Sequence, residues 1–364
     1  DGYRASLAYV DQFADRTIGV ALGFARLDDT GGTSTRTDNW GGGSYNTVAN
    51  VGNNGCTVGT TPGCVNVPYN GFGLFADQLT QKRDGAMAVL QYKPNKNFNS
   101  TLDIFYSKFD QVKATKGLQM PLNISGNNVT SGRFDNVHSV VRNDSESTHD
   151  KINTIGWNNK LTLANNWTLN ADLSKSKSTR TGGIVEVYAG TPQNTLGAFT
   201  GDTVAFTNGG VFTPTLNYTD RSLVKITDVQ GWGGGTGSPQ AGYSKLPNVK
   251  DEADALRFSA KKDLGEGGWI TAVEAGLVYQ NREKTRAFVE GRLVVTGDNT
   301  GLGSLTIPGS SNLSFLGVTV PTFDPQALIG NGLSVVGKLH PDIFNKDWMV
   351  QEKITTGFVR GDIE

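Results

Sequence analysis

Residues 83–109 carry the pattern of a two-faced β-hairpin. On either side of the turn Pro94–Asn97, apolar residues such as Leu90 and Ile104 alternate with polar or small ones. Because side chains alternate between the faces of a strand, each run has one apolar face and one mostly polar face. Each strand is about ten or more residues long, against a usual five or six. Long strands, a short turn and one apolar face are typical of membrane-spanning β-barrel hairpins.

The same pattern recurs along the whole chain. The predicted strands are residues 3–10, 16–27, 83–93, 101–109, 151–163, 167–174, 256–261, 269–282 and 350–358. Short turns near Asp11, Asn95, Asn165 and Gly265 alternate with long connections. The predicted long connections are residues 28–82, 110–149, 180–250 and 284–347. Long connections without structure count against a compact soluble domain. They are expected in outer-membrane barrels, where periplasmic turns are short and extracellular loops are long. The four turns are therefore predicted to face the periplasm.

Nine strands of this kind would leave both outermost strands unpaired. Bacterial single-chain barrels have even strand numbers, and an open sheet edge cannot lie in lipid. We therefore predict an all-β, antiparallel transmembrane β-barrel segment of about nine strands with long extracellular loops. Residues 1–364 would form one partial barrel domain, completed by strands that follow this stretch of sequence.

Composition narrows the class of protein further. The net charge is −1 and only 18% of residues are charged, so no attraction to nucleic acid is implied. No apolar run approaches the ~20 residues of a transmembrane helix. Cys56 and Cys64 lie close together in a loop rich in Gly, Thr and Pro. This spacing favours a local disulfide in an oxidising compartment over a metal site, the alternative being two free thiols.

The sequence contains no arrangement that predicts catalysis. The three histidines fall in predicted loops without the spacing of metal ligands. They are His138, His149 and His340. The acidic residues Asp144, Glu146 and Asp150 near His149 could bind a cation, but a solvated loop is the commoner explanation. We predict no enzyme activity, no metal site and no cofactor.

Aromatic residues suggest where a ligand would bind. Several lie in the predicted extracellular loops among many Asn, Thr and Asp residues. These residues are Trp40, Tyr45, Phe72, Tyr188, Phe206, Tyr218, Trp232 and Tyr243. Aromatic rings beside amides and carboxylates suit sugars and other polar organic ligands. The alternative for any one of them is that it packs the loops together.

A second set of aromatic residues lies at or near the short turns. It comprises Tyr92, Trp157, Trp167 and Trp269. Their position predicts an aromatic girdle at one membrane interface. The alternative is that they cap a soluble β-sandwich.

Two stretches of the chain resemble a known family. The first contains Arg83-Asp84-Gly85, Leu90-Gln91, Pro94-Asn95, Leu102-Asp103 and Tyr106-Ser107-Lys108-Phe109. The second contains Gly2-Tyr3-Arg4-Ala5-Ser6, Tyr9-Val10-Asp11 and Ile18-Gly19-Val20-Ala21. Both resemble barrel strands of TonB-dependent outer-membrane receptors, in particular the subgroup abundant in Xanthomonas- and Caulobacter-like bacteria. The resemblance covers the strands and is weak in the long loops.

The resemblance implies a closed barrel of 22 strands filled by an N-terminal plug domain. On this resemblance, the plug and the last barrel strands would lie outside residues 1–364. In this family the substrate binds extracellular loops and plug apices, and TonB delivers energy from ExbB–ExbD. The small face of Gly19, Ala21 and Gly23 would lie against the plug. Many members of the subgroup take up carbohydrates, and the wider family takes up ferric siderophores and cobalamin. The implied partners are outer-membrane lipid or lipopolysaccharide, TonB with ExbB–ExbD through the plug, and a small-molecule or oligosaccharide ligand.

Two other functions are compatible with the same strand pattern. A passive outer-membrane porin shares the hairpins but lacks the plug, so a preceding domain of about 150 residues would decide between porin and receptor. A surface β-structural adhesin would be extracted without detergent and would show no heat-modifiable migration on gels. The sequence does not identify the substrate.

Overall fold

The computed structural model describes residues 2–40, 46–47, 66–67, 71–121, 128–130, 133–193, 200–206, 211–233, 238–265 and 268–363. Strand accounts for 74% of the structure and helix for 2%, which confirms the predicted all-β class. Nine long strands pair with their sequence neighbours in one antiparallel sheet. They are β1 (Tyr3–Phe13), β2 (Ile18–Trp40), β3 (Gly71–Asn95), β4 (Phe98–Pro121), β5 (Val140–Leu163), β6 (Trp167–Gly190), β7 (Gly242–Asp263), β8 (Ile270–Val295) and β9 (Trp348–Ile363).

Short and long connections alternate along this sheet, as the sequence predicts. The short turns follow β1, β3, β5 and β7, and the long connections follow β2, β4, β6 and β8. At one turn Asn165 and Asn166 have φ angles of 59° and 60°, a left-handed conformation that Asn tolerates better than most residues. We call the two ends of the sheet the turn end and the loop end.

The strands are much longer than the sequence pattern predicts. The predicted connection 28–82 is wrong at both ends, because β2 continues to Trp40 and β3 begins at Gly71. The predicted connections 110–149 and 180–250 are wrong at both ends as well. The connection 284–347 is wrong only at its start, because β8 continues to Val295 while β9 begins at Trp348. The physical reason is that alternating hydrophobicity reports burial of one face. In the middle of the strands, between the apolar band and the buried layer at the loop end, both faces carry polar side chains, while the backbone ladder continues without that signal.

The turn end of one face is an exposed apolar band. One row of residues in mutual register crosses β3 to β8, and it consists of Leu90, Leu102, Trp157, Leu173, Leu256 and Tyr279. Leu90 and Trp157 are each 47% exposed, so nothing in the described part of the chain covers them. Contiguous apolar surface of this kind is rare in soluble monomers and marks a contact with lipid or protein. We call this side of the sheet the band face and the other side the polar face.

The loop end of the band face is buried. Closer to the loop end, Leu74, Leu118 and Val141 lie opposite one another on the band face and are fully buried. Apolar residues from between 200 and 333 cover them. Asn143 holds this layer in place: it donates to the Pro321 carbonyl and accepts from the Phe323 amide, both at 3.1 Å. Among the residues that the structure describes, the hydrophobic core therefore lies at the loop end.

Shorter elements make up the covering layer. Lys225–Thr227, Ser304–Thr306 and Leu333–Gly337 extend the large sheet. Asn128–Thr130, Arg133–Val137, Asp202–Phe206 and Phe212–Pro214 form a four-stranded sheet. Asn312–Phe315 pairs with Val318–Pro321, and Asn46–Thr47 with Asn66–Val67. The helical elements are a 3-10 turn at Gln326–Leu328 and a helix at Pro341–Phe344. No helix within the described ranges is long and apolar enough to span a membrane.

The aromatic residues predicted at the turn end are exposed there. Tyr92 is 47% exposed, Trp167 is 41% exposed and Trp269 is 87% exposed. Trp157 lies farther from the turn, in the middle of the apolar band, because β5 continues to Leu163. Their role as an interfacial girdle stays a prediction.

Candidate functional site

Two rows of side chains cross the polar face at the loop end. The first row contains Arg36, Phe75, Gly117, Arg142 and Tyr188, each opposite the next across β2 to β6. In this row the guanidinium carbon of Arg36 lies 4.3 Å from the ring centre of Phe75. The guanidinium carbon of Arg142 lies 4.9 Å from that of Tyr188. Cations over aromatic faces at these distances attract the ring electrostatically. The row therefore alternates stacked guanidinium and aromatic groups.

The ring of Phe75 has room because two glycines lie beneath it. A Cβ atom added at Gly117 or at Gly73 would lie 2.4 Å from a carbon of that ring. Real Cβ contacts do not come so close, so larger residues here would displace Phe75. The ring is only 5% exposed and forms a fixed part of the wall.

The second row is acidic and lies one step closer to the turn end. It contains Ser34, Asp77, Thr115, Asp144 and Glu186, again each opposite the next. Arg36 donates through Nε to Asp77 at 2.9 Å, and the Thr115 hydroxyl also donates to this carboxylate. Arg36 additionally contacts Asp38. Each guanidinium of the first row is thus met by carboxylates, which fixes its position.

Arg142 is the most completely bonded group of the site. It donates to Asp144 at 2.8 Å and 3.1 Å, to Gln119 at 2.8 Å, and pairs with Glu186 at 2.9 Å. The Tyr188 hydroxyl donates to Glu186 at 2.8 Å. The Arg142 side chain is 11% exposed, so its charge is held away from bulk water. Its pairing leaves little capacity to bind an anionic ligand.

An open cavity of about 780 Å³ lies over these rows. Its lining residues are Thr37, Asp38, Asn39, Phe75, Gln119, Pro121, Arg142, Tyr188, Trp232 and Gln240. Trp232 meets the Tyr188 ring edge-on, with ring centres 4.9 Å apart and planes at 89°. Trp232 is 42% exposed while Tyr188 is 4% exposed, so Trp232 is the aromatic surface that a ligand can reach. No histidine, serine or cysteine occurs among these described lining residues.

Asp228 holds the segment that carries Trp232. Its carboxylate accepts from the Gly231 amide at 2.9 Å and from the Gln240 amide at 3.0 Å. Asp228 is 4% exposed, and this burial raises its pKa against the opposing effect of the amide donors. One carboxylate therefore positions both Trp232 and Gln240 at the cavity.

The pKa of Asp144 is raised to about 6, and burial is the main cause. The charge of Glu186 acts in the same direction, whereas Arg142 opposes it. The charge of the acidic row therefore changes near pH 6.

The structure brings together two of the aromatic residues predicted from sequence, Tyr188 and Trp232. Tyr243 lies one strand away, where its hydroxyl donates to Glu290, which also binds the Lys346 ammonium at 2.7 Å. Phe72 lies on the band face and packs on Phe212, with ring centres 5.4 Å apart.

Neither the other aromatic residues predicted from sequence nor the two cysteines are among the described residues that line the cavity. Tyr218 is buried and donates to Asp202 at 2.8 Å, which gives it a structural role. The side chains of Trp40 and Phe206 lie outside the described residues, as do Tyr45, Cys56 and Cys64.

The predicted acidic group near His149 is split between the two faces. Asp144, Glu146 and Asp150 lie on the polar face, whereas His149 lies on the band face and pairs with Asp110 at 2.8 Å. The prediction that His149 lies in a loop is wrong, because β5 includes it. Within the described ranges, no group of three or more His, Cys, Asp or Glu residues could hold a metal ion.

Sequence reasoning missed Arg142, Gln119 and Glu186, because all three fall in segments that were predicted to be loops. Extending the strand alternation into those segments would have placed Arg142 and Glu186 on one face.

Comparison with known proteins adds no assignment: no family model, curated protein or solved structure matches the chain.

Proposed function

We propose that this chain is part of the wall of an outer-membrane β-barrel that takes up a polar substrate. The observation that carries the proposal is the division of the sheet into an exposed apolar band on one face and a polar cavity on the other. An apolar outer band with a polar interior is the pattern of transmembrane barrels. The alternation of short turns and long connections supports the same arrangement. The band face would then meet lipid, and the polar face would line the lumen.

The proposed transport is active and depends on TonB. This part of the proposal is supported by the resemblance of Arg83–Phe109 and Gly2–Ala21 to TonB-dependent receptors. A plug domain and further barrel strands, encoded outside residues 1–364, would complete the receptor and contact TonB with ExbB–ExbD. The alternative of a passive porin would share the wall and the cavity, but its uptake would not require energy.

The cavity favours a neutral carbohydrate over an anionic ferric siderophore. Two guanidinium groups, of Arg36 and Arg142, pair with four carboxylates, so a negatively charged ligand would meet an excess of like charge. The exposed Trp232 ring and the amides of Gln119 and Gln240 supply stacking and hydrogen bonds for sugar hydroxyls.

Uptake in the source bacterium tests this function. Deleting the gene should abolish growth on a subset of neutral oligosaccharides and leave growth on ferric chelates unchanged. Uptake of the labelled sugar should also stop when TonB is deleted or the proton-motive force is dissipated. Uptake that survives loss of TonB would identify a porin. Solubility without detergent, together with gel migration that heating does not change, would contradict the barrel itself.

A further inference from the structure

A groove crosses the apolar band between β4 and β8. Its apolar lining consists of Leu102, Ile155, Trp157, Leu173, Leu256 and Tyr279, and its volume is about 430 Å³. Towards the loop end it closes at Lys175 and Asp254, whose charged groups lie 3.3 Å apart. The groove therefore has an apolar floor and a charged upper margin.

Two lysines face each other on the band face above this groove. Lys108 of β4 and Lys151 of β5 are directly opposite in register. Like charges in that position destabilise a strand pair unless something neutralises them. Lys108 contacts Asp110 at 2.6 Å and lies opposite Asp84 of β3, so its charge is neutralised within the protein. Lys151 is exposed and forms no ion pair with any residue in the described part of the chain. The pair therefore leaves a positive charge that an anion would stabilise.

The spacing of groove and lysines matches an amphiphile. Lys151 lies four residues beyond Ile155 on β5, which is about 13 Å at ~3.3 Å per residue. Lys177, which pairs with Glu252 at 3.0 Å, lies between these levels on β6. An acyl chain in the groove would thus end below a sugar or glycerol headgroup whose phosphate reaches the lysines.

We propose that this surface binds a phosphorylated lipid of the surrounding leaflet. One acyl chain lies in the groove from Leu102 to Tyr279, and a phosphate bridges Lys108 and Lys151. The inference rests on the proposed function, because it requires the band face to meet lipid. Lipid phosphate is favoured over free phosphate because the lysine pair lies on the same face as the apolar groove, only ~13 Å beyond Ile155.

Binding of a defined lipid to the full-length receptor in detergent micelles tests the site. The probe is lipid A, an acylated glucosamine disaccharide with two phosphates, and binding is measured by native mass spectrometry. The double variant Lys108→Gln/Lys151→Gln removes both charges and should weaken binding about fivefold, since Lys151 is the unneutralised group and one basic group at an anionic surface contributes about one kcal/mol. Dephosphorylated lipid A should bind wild type and double variant equally.

Lys82→Gln is the matched control. Lys82 lies on the band face of β3 and pairs with Asp28 at 3.1 Å, and the residues opposite it are Asp28 and Asp110. This variant should bind lipid A within about twofold of wild type, since its charge is already neutralised. Equal binding by the double variant and wild type would overturn the proposal. Displacement of lipid A by millimolar inorganic phosphate would assign the lysines to a free anion instead. A receptor that is soluble without detergent would overturn the proposed function together with this site. If the receptor is a heat-modifiable barrel but the double variant binds lipid A as well as wild type does, the site alone is overturned.

Discussion

Replacing Arg142 by Gln should destabilise the loop end far more than the matched change at Arg180. Both arginines pair bidentately with an aspartate: Arg142 with Asp144, two residues along β5, and Arg180 of β6 with Asp150 of β5 at 2.7 Å for both bonds. The two pairs differ in exposure, because the Arg142 side chain is 11% exposed and that of Arg180 is 60% exposed. The comparison therefore contrasts a buried arginine that has several partners with an exposed arginine that has one.

The magnitude follows from what Arg142 leaves behind. Without it, Asp144 and Glu186 face each other in register with no cation between them, and like charges directly opposite are destabilising. Removing one partner of a buried pair costs about 3–5 kcal/mol. Partial exposure of the two carboxylates reduces this to roughly 2–4 kcal/mol. An exposed pair is worth about 1 kcal/mol or less, so Arg180→Gln should lie within that limit.

Equilibrium unfolding of the full-length receptor by urea in detergent micelles measures both changes. The double variant Arg142→Gln/Glu186→Gln should recover part of the loss, since it removes the facing carboxylate. Equal losses for Arg142→Gln and Arg180→Gln would refute the reasoning. A double variant less stable than the single one would show that charge repulsion between the carboxylates is not the cause.

Three further changes probe the cavity and the band. Trp232→Ala should weaken sugar binding about tenfold in calorimetry, because the reachable stacking surface is lost, while Trp269→Ala, at a turn, should leave it unchanged. Lowering the pH from 7 to 5 should stabilise the fold by about 1 kcal/mol through protonation of Asp144. The pKa of Asp144 is about 6 in the folded state and about 3.9 in the unfolded state, so the folded state gains the proton first as the pH falls. In urea unfolding Asp144→Asn should remove this dependence, and an unchanged pH profile would contradict the assignment. Leu173→Lys on the band face should cost about 2–4 kcal/mol of folding free energy in lipid vesicles. Ser178→Lys on the polar face should cost well under half of that. Equal costs for the two variants would argue against lipid contact at the band.

The sequence identifies the turn end well because only there do burial and strand geometry produce the same signal. Leu90, Trp157 and Leu173 alternate with polar neighbours, so both strand and face can be assigned. Beyond Lys108 and Lys151 the alternation of hydrophobicity is lost, and those segments resemble loops although the ladder of backbone bonds continues. Strand length at the loop end depends on pairing with a neighbour, which local pattern does not encode.

The cavity could be predicted only in part for the same reason. Tyr188 and Trp232 stand out as aromatic residues among polar ones. Arg142, by contrast, acquires its role from Glu186, which lies on the next strand and 44 positions away in the sequence. The turn that joins two strands determines which of their residues lie opposite each other. The turn at Asn165–Asn166 sets the pairing of β5 with β6 along their whole length, and so sets the partners of Arg142 far from it.

The band and the cavity therefore specify each other through one register. Along β5, Trp157 lies on the band face and Arg142 on the polar face, fifteen residues apart and of opposite parity. A slip of one residue against β4 would move Trp157 to the polar face and turn Arg142 towards the buried layer on the band face. The first change would remove apolar surface from the band, and the second would place an unpaired guanidinium in an apolar core. Each strand from β3 to β8 carries a residue of the apolar band, so the first penalty acts on all of them, and the second adds to it on β5. This explains how strands of more than twenty residues keep one register over their polar half.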